Sequence, residues 1–275
     1  MNVAPDSCLS SKTISGRLTN LRSYFTWLKQ HRTVDLNPFE GVEIEVVSES
    51  YAAYTVEDLN TIFSSELFKD SSYRRKSGTK SNWWLVVLAA FTGARIGELA
   101  QLKLTDITET DGVISIQVTD EGDEQRVKTE AAIRKFPVHP YLRELGFEEY
   151  LAEVKGKGLS KLLPSIPKIV KKSGDQSSKW YGRYRNSYLP AGFQGDRKVF
   201  HSFRHSFIQT ASQCEAEIPK LQRMVGHEPA YFKETATYIG EAFTQKSLLE
   251  ELKKAQYRGL DLSLLRGGWQ AISKA

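Results

Sequence analysis

Apolar residues recur at intervals of three and four positions in several segments of the chain, a spacing that places them on one face of an α-helix. Residues 83–91 are apolar on all sides, which predicts a buried helix. The apolar positions of the first helical segment, residues 11–30, are Ile14, Leu18, Leu21, Phe25 and Leu28. Further helices are predicted to begin at Thr55 and to cover residues 96–102, 141–154, 203–214, 218–224 and 244–257.

A second pattern, the alternation of apolar and polar residues, covers residues 113–118 and, less regularly, residues 133–138. A period of two is typical of a β-strand with one buried face. Residues 119–124 are polar and supply a turn after the first strand, and residues 125–128 lie between the two strands. The sequence therefore predicts an α+β fold that is mostly helical and contains one small antiparallel sheet.

Turn-forming and polar residues divide the chain near residue 50. Asn37 and Pro38 form a turn signal after the first helix, and residues 47–54 have the composition of a linker. Thr55 is suited to cap the next helix with its hydroxyl, and residues 71–81 are predicted to be a polar loop. We therefore expect a small helical segment, residues 1–50, followed by one main domain, residues 51–275.

The composition is that of a globular protein, with 275 residues of which 40% are hydrophobic and 26% are charged. The longest apolar run, residues 83–91, is too short to cross a bilayer. The first residues lack the basic and apolar regions of a signal peptide, so we expect a cytosolic protein without a membrane partner. Cys8 and Cys214 indicate neither a disulfide framework nor a metal cluster, and no nucleotide-binding motif occurs, so no cofactor or metal is expected.

Positive charge is concentrated in one part of the chain. Residues 155–198 contain eleven Lys and Arg against two Asp, a net charge of +9, whereas the whole chain carries +5. Such an asymmetry is typical of proteins that bind a polyanion. The alternative is a solvated basic loop without a partner.

Six polar residues, spread over almost half of the chain, share a chemistry. Guanidinium groups match phosphate oxygens, imidazoles can accept a proton, a lysine can donate one, and a phenol can act as a nucleophile. Such a set can cut a phosphodiester without a metal. The residues are Arg95 in T-G-A-R-I-G-E-L, Lys128 in V-K-T, His201 and Arg204 in H-S-F-R-H, His227 in V-G-H, and Tyr238 in T-A-T-Y.

In order and in residue type, this set resembles the tyrosine recombinase (phage integrase) family over about residues 51–243. The resemblance implies that residues 51–275 are a catalytic domain, a helical bundle with a small antiparallel sheet. Residues 1–50 would then be the last part of a helical core-binding domain and its linker, which in this family often closes with an N-P-F segment such as the one at Asn37.

The resemblance also implies the reaction and the partners. The protein would be a site-specific DNA recombinase or integrase that cuts and rejoins DNA through a 3′-phosphotyrosine intermediate, without metal or ATP. Its partner would be double-stranded DNA in the cytoplasm, at the nucleoid, with four copies of the chain on two DNA sites. Prophage insertion, transfer of a mobile element and chromosome resolution all use this catalytic set, and the sequence leaves the choice among them open.

Each residue of the set receives a role from the resemblance. Arg95 and Arg204 would clamp the scissile phosphate, and Lys128 would protonate the departing 5′ oxygen. His201 and His227 would hydrogen-bond the phosphate, and His201 could take the proton of the phenol. The nucleophile would be Tyr238.

The nucleophile has one alternative. Tyr231 lies four residues after His227, whereas the step of eleven residues from His227 to Tyr238 is longer than is usual in the family. The extra residues, near 228–232, are expected in a loop, where insertions cost little.

Other residues of the set also have alternatives. Arg95 could form a salt bridge to Glu98, one turn further along a helix, and Lys103 or Lys135 could replace Lys128 as the proton donor. By the same resemblance His205 is expected to be structural, and His139 is expected to belong to a turn.

Three other functions remain open on the sequence. A type IB topoisomerase uses similar chemistry but rejoins the same strands, and a truncated DNA-binding regulator would not recombine. A metal-dependent nuclease would need clustered carboxylates, which have no suitable spacing here. The predicted helix at 244–257 could pack on its own domain or on a neighbouring copy of the chain.

Overall fold

The computed structural model describes residues 9–46, 51–69, 73, 79–166, 173–191, 193, 197–227 and 243–273. By its internal contacts the chain separates into two units, Met1–Ser50 and Tyr51–Ala275. Among the described residues, no helix has the length and apolar character needed to cross a bilayer.

The first unit contains helix α1, Ser11–Gln30, with the bounds that its apolar spacing predicts. Ser10 caps the helix by accepting a hydrogen bond from the backbone N–H of Thr13, which satisfies one of the free donors of the first turn. The predicted turn at Asn37 folds back on the helix, because the Asn37 amide donates to the carbonyl of Arg22 and to the hydroxyl of Thr26, both at 3.0 Å.

The second unit is mainly helical. Its described residues also include the short 3₁₀ turns Leu104–Asp106, Glu130–Ala132 and Leu262–Leu264. Its described helices are α2 (Val56–Phe63), α3 (Glu66–Lys69), α4 (Thr79–Thr92), α5 (Ile96–Ala100), α6 (Pro140–Glu144), α7 (Phe147–Gly156), α8 (Ser173–Tyr188), α9 (Ser202–Gln213), α10 (Ile218–Val225), α11 (Gln245–Leu252) and α12 (Gly268–Ser273).

Helix α4 is the centre of the core. Every residue from Trp83 to Phe91 is fully buried, and α3, α5, α6, α9 and α12 pack around the helix. It begins at Thr79, earlier than the predicted start at residue 83, so the end of the predicted polar loop is wrong. The polar residues of its first turn are accommodated because the Thr79 hydroxyl donates to the carbonyl of Tyr73 and the Ser81 hydroxyl accepts from the N–H of Ser165.

The sheet is antiparallel and has the strand order β1 (Ile107–Thr110), β2 (Val113–Val118), β3 (Arg134–Pro137). In the central strand, Ile116 pairs with Ile107 on one side and with Phe136 on the other. The strands at 113–118 and near 133–138 were predicted. Strand β1 was not, because only its first residue is apolar.

Three helical predictions are corrected. The predicted helix at 141–154 is two helices, because Gly146 adopts a left-handed conformation with φ of +88° between α6 and α7. Helix α8 lies in the basic stretch, where no helix was predicted. The predicted helix at 244–257 ends at Leu252, and it packs on its own domain, against β2, β3 and α10.

Candidate active site

Arg95 stands at the junction of α4 and α5. Helix α4 ends at Thr92, and Gly93 turns the chain with φ of +60°. A side chain at this glycine would come within 2.6 Å of the Phe207 ring, so the turn requires glycine. Arg95 follows as the residue that caps α5, with its side chain one-quarter exposed.

The side chain of Arg95 forms the salt bridge to Glu98 that the sequence left open as an alternative. Its Nη1 atom lies 2.7 Å from Glu98 Oε1, and its own backbone N–H donates to Glu98 Oε2 at 2.9 Å. A further guanidinium N–H donates to the carbonyl of Gly226 at 3.4 Å. A salt bridge and a phosphate contact are compatible, because a guanidinium group has five N–H donors.

Arg204 lies on the first turn of α9, and only 3% of its surface is exposed. Its Nη1 atom donates to the carbonyl of Gly93 at 2.8 Å, and its buried Nη2 atom has no hydrogen-bond partner among the described residues. Burial, and then the nearby positive charge of Arg95, lower the pKa of Arg204 to about 9. A buried cation with an unsatisfied donor is costly unless an anion pairs with it.

Two candidate histidines lie in the same electrostatic neighbourhood. His201 precedes α9, is exposed, and has its ring centroid 4.9 Å from that of His205. Desolvation, and then His205, Arg204 and Arg95, lower the pKa of His201 to about 4. The pKa of His227 is also lowered, by desolvation and then by Arg204 and Arg95. Both imidazoles are therefore neutral near pH 7, and each can accept or donate a hydrogen bond.

His227 is positioned by the end of α10. Gly226 closes this helix with φ of +67°, and the N–H of His227 donates to the carbonyl of Gln222 at 3.0 Å. A side chain at Gly226 would come within 2.9 Å of Arg134 Nη1. The chain can therefore pass close to Arg134 only because residue 226 has no side chain.

Arg134, which received no role from the sequence, is fully buried and joins three of the elements around the site. Its Nη2 atom pairs with Glu98 Oε2 at 2.8 Å, its Nε donates to the carbonyl of Met224 at 2.7 Å, and its Nη1 donates to that of Ala132 at 2.9 Å. Burial raises the pKa of Glu98, but Arg134 and then Arg95 outweigh it and hold this pKa below its ordinary value.

The structure does not bring Lys128 into contact with these residues. Lys128 is exposed in the segment between β2 and β3, and it has no hydrogen bond or ion pair among the described residues. Of its two alternatives, Lys135 lies on β3 with its Nζ atom 3.5 Å from the Thr110 hydroxyl. Lys103 precedes the first 3₁₀ turn, and its backbone N–H donates to Asp106.

Tyr238 and its alternative Tyr231 lie outside the described residues, which resume at residue 243. His139, expected in a turn, caps α6 by accepting from the N–H of Tyr141 and is buried. Of the six predicted residues, the structure thus places Arg95, Arg204, His201 and His227 in one electrostatic cluster and leaves Lys128 apart.

Comparison with known proteins adds to this geometry. The model of the phage integrase family matches residues 64–244, about two thirds of the chain and all of the candidate cluster. The chain belongs to the phage integrase family. The match confirms the predicted family and makes the chain a DNA recombinase of the tyrosine class.

Several tyrosine recombinases resemble the chain over most of its length. A tyrosine recombinase of Agathobacter rectalis is 23% identical over 250 residues, which are 86% of this chain and 75% of the relative. Tyrosine recombinase XerC of Pediococcus pentosaceus is 23% identical over 258 residues, 93% of this chain and 79% of the relative.

Solved structures share the fold. The XerH site-specific recombinase bound to its difH substrate superposes with a TM-score of 0.56 and 20% identity, over 85% of this chain and 64% of that one. The Tn1549 transposon integrase in complex with circular intermediate DNA gives a TM-score of 0.54 and 19% identity, over 90% of this chain and 80% of that one. These likenesses confirm the predicted fold, a helical domain with a small antiparallel sheet.

Proposed function

We propose that this chain cuts and rejoins double-stranded DNA at a specific site, with Arg95, Arg204, His201 and His227 around the scissile phosphate. The observation that carries the proposal is the buried Nη2 of Arg204, which lacks a partner among the described residues and lies near a second guanidinium group. A phosphodiester satisfies this donor and places its negative charge beside both guanidinium groups, which then stabilise the further charge that builds up in the transition state.

Tyr238 is the proposed nucleophile. Its hydroxyl oxygen forms a bond to phosphorus while the bond from phosphorus to the 5′ oxygen breaks. His201 takes the phenol proton, and Lys128 donates a proton to the departing 5′ oxygen. A 5′ hydroxyl of a second duplex then attacks the phosphotyrosine, giving its proton back to Lys128. The bond from phosphorus to the Tyr238 oxygen breaks, and His201 returns the phenol proton. One phosphodiester replaces another, so neither step consumes ATP.

The larger assembly follows from the same proposal. DNA is present in the solved complexes of XerH and of the Tn1549 integrase, and four copies of the chain on two DNA sites would allow strands to be exchanged between duplexes. Residues 1–50 would belong to a core-binding domain. Because its substrate would be DNA, we expect the chain to act at the nucleoid, in the cytoplasm.

A covalent-trapping experiment tests the proposed reaction. The chain is incubated in EDTA with a pool of randomised duplexes that carry a nick beside the variable region. Cleavage then releases a short fragment with a 5′ hydroxyl, which diffuses away and leaves the protein attached to the DNA. Denaturing gels then reveal any protein–DNA adduct, and sequencing of the attached DNA gives the cleaved site. We expect an adduct that forms in EDTA and is absent in Tyr238→Phe.

Each other result points to a different function. Loss of the adduct in Tyr231→Phe alone would move the nucleophile to that residue, and cleavage that requires magnesium would indicate a nuclease. DNA binding without an adduct would indicate a regulator. Relaxation of supercoiled plasmid without exchange between two duplexes would indicate a topoisomerase.

A further inference from the structure

Gln101 follows α5 directly, at the opposite end of this helix from Arg95. The residue is buried to all but 9%. Its side-chain amide makes two hydrogen bonds to one other residue, since Nε2 donates to the carbonyl of Arg126 and Oε1 accepts from the N–H of Arg126, both at 2.9 Å. A glutamine side chain here holds a backbone segment in the manner of one rung of a β-ladder.

The segment that Gln101 holds is the one that carries Lys128. Arg126 precedes Lys128 by two residues, and two extended residues span at most about 7 Å. The same segment is held at two other points, where Gln125 Nε2 donates to buried Asp106 at 2.8 Å and Arg134 Nη1 donates to the carbonyl of Ala132. Of these contacts, the one made by Gln101 is nearest to Lys128 along the chain. It also joins this segment to α5, the helix that Arg95 caps.

Lys128 depends on such anchors because its own side chain is exposed and has no partner among the described residues. A lysine side chain has four flexible bonds and a high rotamer entropy. Its ammonium group reaches a reacting oxygen only when its main chain is held at the correct distance, and an error of about 1 Å can cost about 100-fold in rate.

We propose that Gln101 is a positioning residue that fixes the proton donor Lys128 relative to the phosphate-binding Arg95. This inference rests on the proposed function, in which Lys128 protonates the 5′ oxygen. Helix α5 is then a rigid connection of one and a half turns, with Arg95 at its first end and Gln101 at the other. Gln101 itself is too deeply buried to meet DNA, so its effect on the reaction passes through Lys128.

The test uses two forms of the duplex recovered by covalent trapping. One has an ordinary scissile phosphate, and the other has sulfur in place of the bridging 5′ oxygen. A thiol has a pKa of about 8.5, far below that of an alcohol, so a thiolate leaves without being protonated. Cleavage of the sulfur duplex therefore does not need the proton donor, but it still needs the nucleophile and the phosphate clamp.

Cleavage rates under single-turnover conditions are measured for Gln101→Ala, Lys128→Ala and the double variant. We expect Gln101→Ala to cleave the ordinary duplex about 10- to 100-fold more slowly than the native chain, which is less than the whole contribution of about 10²- to 10⁴-fold that a general acid makes. It should cleave the sulfur duplex within about threefold of the native rate. The double variant should be no slower than Lys128→Ala, because two residues that act through one step are not additive.

Two further variants keep the result interpretable. Gln101→Met preserves the buried volume without the amide and replaces Gln101→Ala if the alanine variant does not fold. Gln117→Ala removes a partly buried glutamine of β2 and should leave both rates unchanged. The dissociation constant for DNA should change less than twofold in all of these variants.

The results separate this inference from the function on which it rests. Equal slowing of both duplexes by Gln101→Ala, additive losses in the double variant, or no slowing at all would each overturn the positioning role. A Lys128→Ala variant that cleaves the ordinary duplex at the native rate would instead refute Lys128 as proton donor, and the inference about Gln101 would fall with it.

Discussion

The guanidinium group of Arg134 lies 2.8 Å from the carboxylate of Glu98, and both side chains are almost completely buried. Glu98 also forms a salt bridge to Arg95, so the pair connects this proposed phosphate-binding arginine with strand β3. The remaining bonds of Arg134 to Met224 and Ala132 extend the connection to the end of α10 and to the segment after Lys128. Arg134 is thus a structural centre of the site, although it is too buried to reach DNA.

Arg134→Met should therefore destabilise the fold. Removing one member of a buried ion pair typically costs about 3–5 kcal/mol, and Arg95, which still pairs with Glu98, compensates only part of the remaining charge. Here two carbonyl groups also lose their donor. We expect the free energy of unfolding to fall by about this amount in urea titrations. Arg134→Lys should recover only part of the loss, because an ammonium group cannot bond in three fixed directions.

The control for this variant is Arg143→Met. Arg143 pairs with Glu148 at 2.6 Å, but both side chains are nearly half exposed. Surface pairs contribute about 0–1 kcal/mol, so this variant should unfold almost as the native chain does. Equal losses for the two variants would show that burial of the Arg134 pair has no special role.

Gly226→Ala tests the close approach of the chain to Arg134. The residue has a left-handed backbone, and an added Cβ would lie 2.9 Å from Arg134 Nη1 and 3.2 Å from the carbonyl oxygen of Ala131. We expect a loss of about 1–3 kcal/mol in unfolding free energy from strain and displacement, together with slower DNA cleavage, because His227 follows directly. Thermal unfolding and single-turnover cleavage measure the two effects.

Gly182→Ala serves as the matched glycine variant. Gly182 lies within α8, and an added Cβ would meet nothing within 4 Å. Alanine at a helical position should stabilise the chain by about 0.5–1 kcal/mol. A destabilised Gly182→Ala variant would contradict the packing described for this helix.

Helix α8 also illustrates what the sequence does not disclose. Its composition is polar, and its buried face combines Ser177 with tyrosine rings that hydrogen-bond to partners far along the chain, such as Tyr181 to Tyr54 and Tyr184 to Ser65. A search for aliphatic spacing does not find such a face. By contrast, the helices α1, α9 and α10 have clear apolar spacing and were predicted within one or two residues.

The sequence likewise predicts some residues of the candidate site and misses others. Arg95, Arg204 and the two histidines stand in short motifs that specify both residue type and order, so the sequence was sufficient to propose them. Arg134 and Gln101 were missed because their partners are mostly backbone groups, at Met224, Ala132 and Arg126. Any residue can supply a backbone carbonyl, so no pattern of side chains indicates these contacts.

The lowered pKa of His201 predicts a pH-dependent interaction with anions. The pKa of about 4 lies below the ordinary value of 6.5 because desolvation and neighbouring cationic groups disfavour the imidazolium. Between these values the unfolded chain binds more protons than the folded one, so this group contributes stability above pH 6.5 that is lost as the pH falls towards 4. A bound sulfate should raise the pKa, because an anion favours the imidazolium.

An NMR titration of the imidazole protons checks this expectation, with the His201→Asn variant used to assign the signal. Without sulfate the His201 signal should titrate near pH 4. With sulfate it should titrate at a higher pH, and sulfate should bind more tightly as the pH falls from 7 to 5. A pKa that is ordinary without sulfate would contradict the described environment of His201.

Arg204→Met separates stability from anion binding. The variant removes a buried charge that has an unsatisfied N–H, but it also removes the bond to Gly93, so we expect the free energy of unfolding to change by less than about 1 kcal/mol. The native chain should be stabilised by added sulfate in proportion to ligand occupancy, and Arg204→Met should lose most of this increase in Tm. Cleavage should fall by about 100-fold or more, because one preorganised donor to the transition state is lost.

The control here is Arg183→Met on α8, which removes an exposed arginine and should keep the sulfate response. If both variants keep it, the anion binds elsewhere and Arg204 is not part of the phosphate site.

The basic character of α8 predicts a contribution to DNA affinity. The helix packs against α5, the helix that follows Arg95, and its exposed side chains include Lys179 and Arg183. Each lysine or arginine that neutralises a phosphate contributes a slope of about −0.9 to the dependence of log K on log salt. Replacing both residues with glutamine should therefore weaken binding at low salt and reduce the slope by about 2, independent of DNA sequence. Fluorescence anisotropy over a range of salt concentrations measures both quantities, with Lys157→Gln at the end of α7 as the matched control.

An unchanged slope would show that the positive charge of α8 faces solvent in the complex, and the concentration of charge in residues 155–198 would then need another explanation.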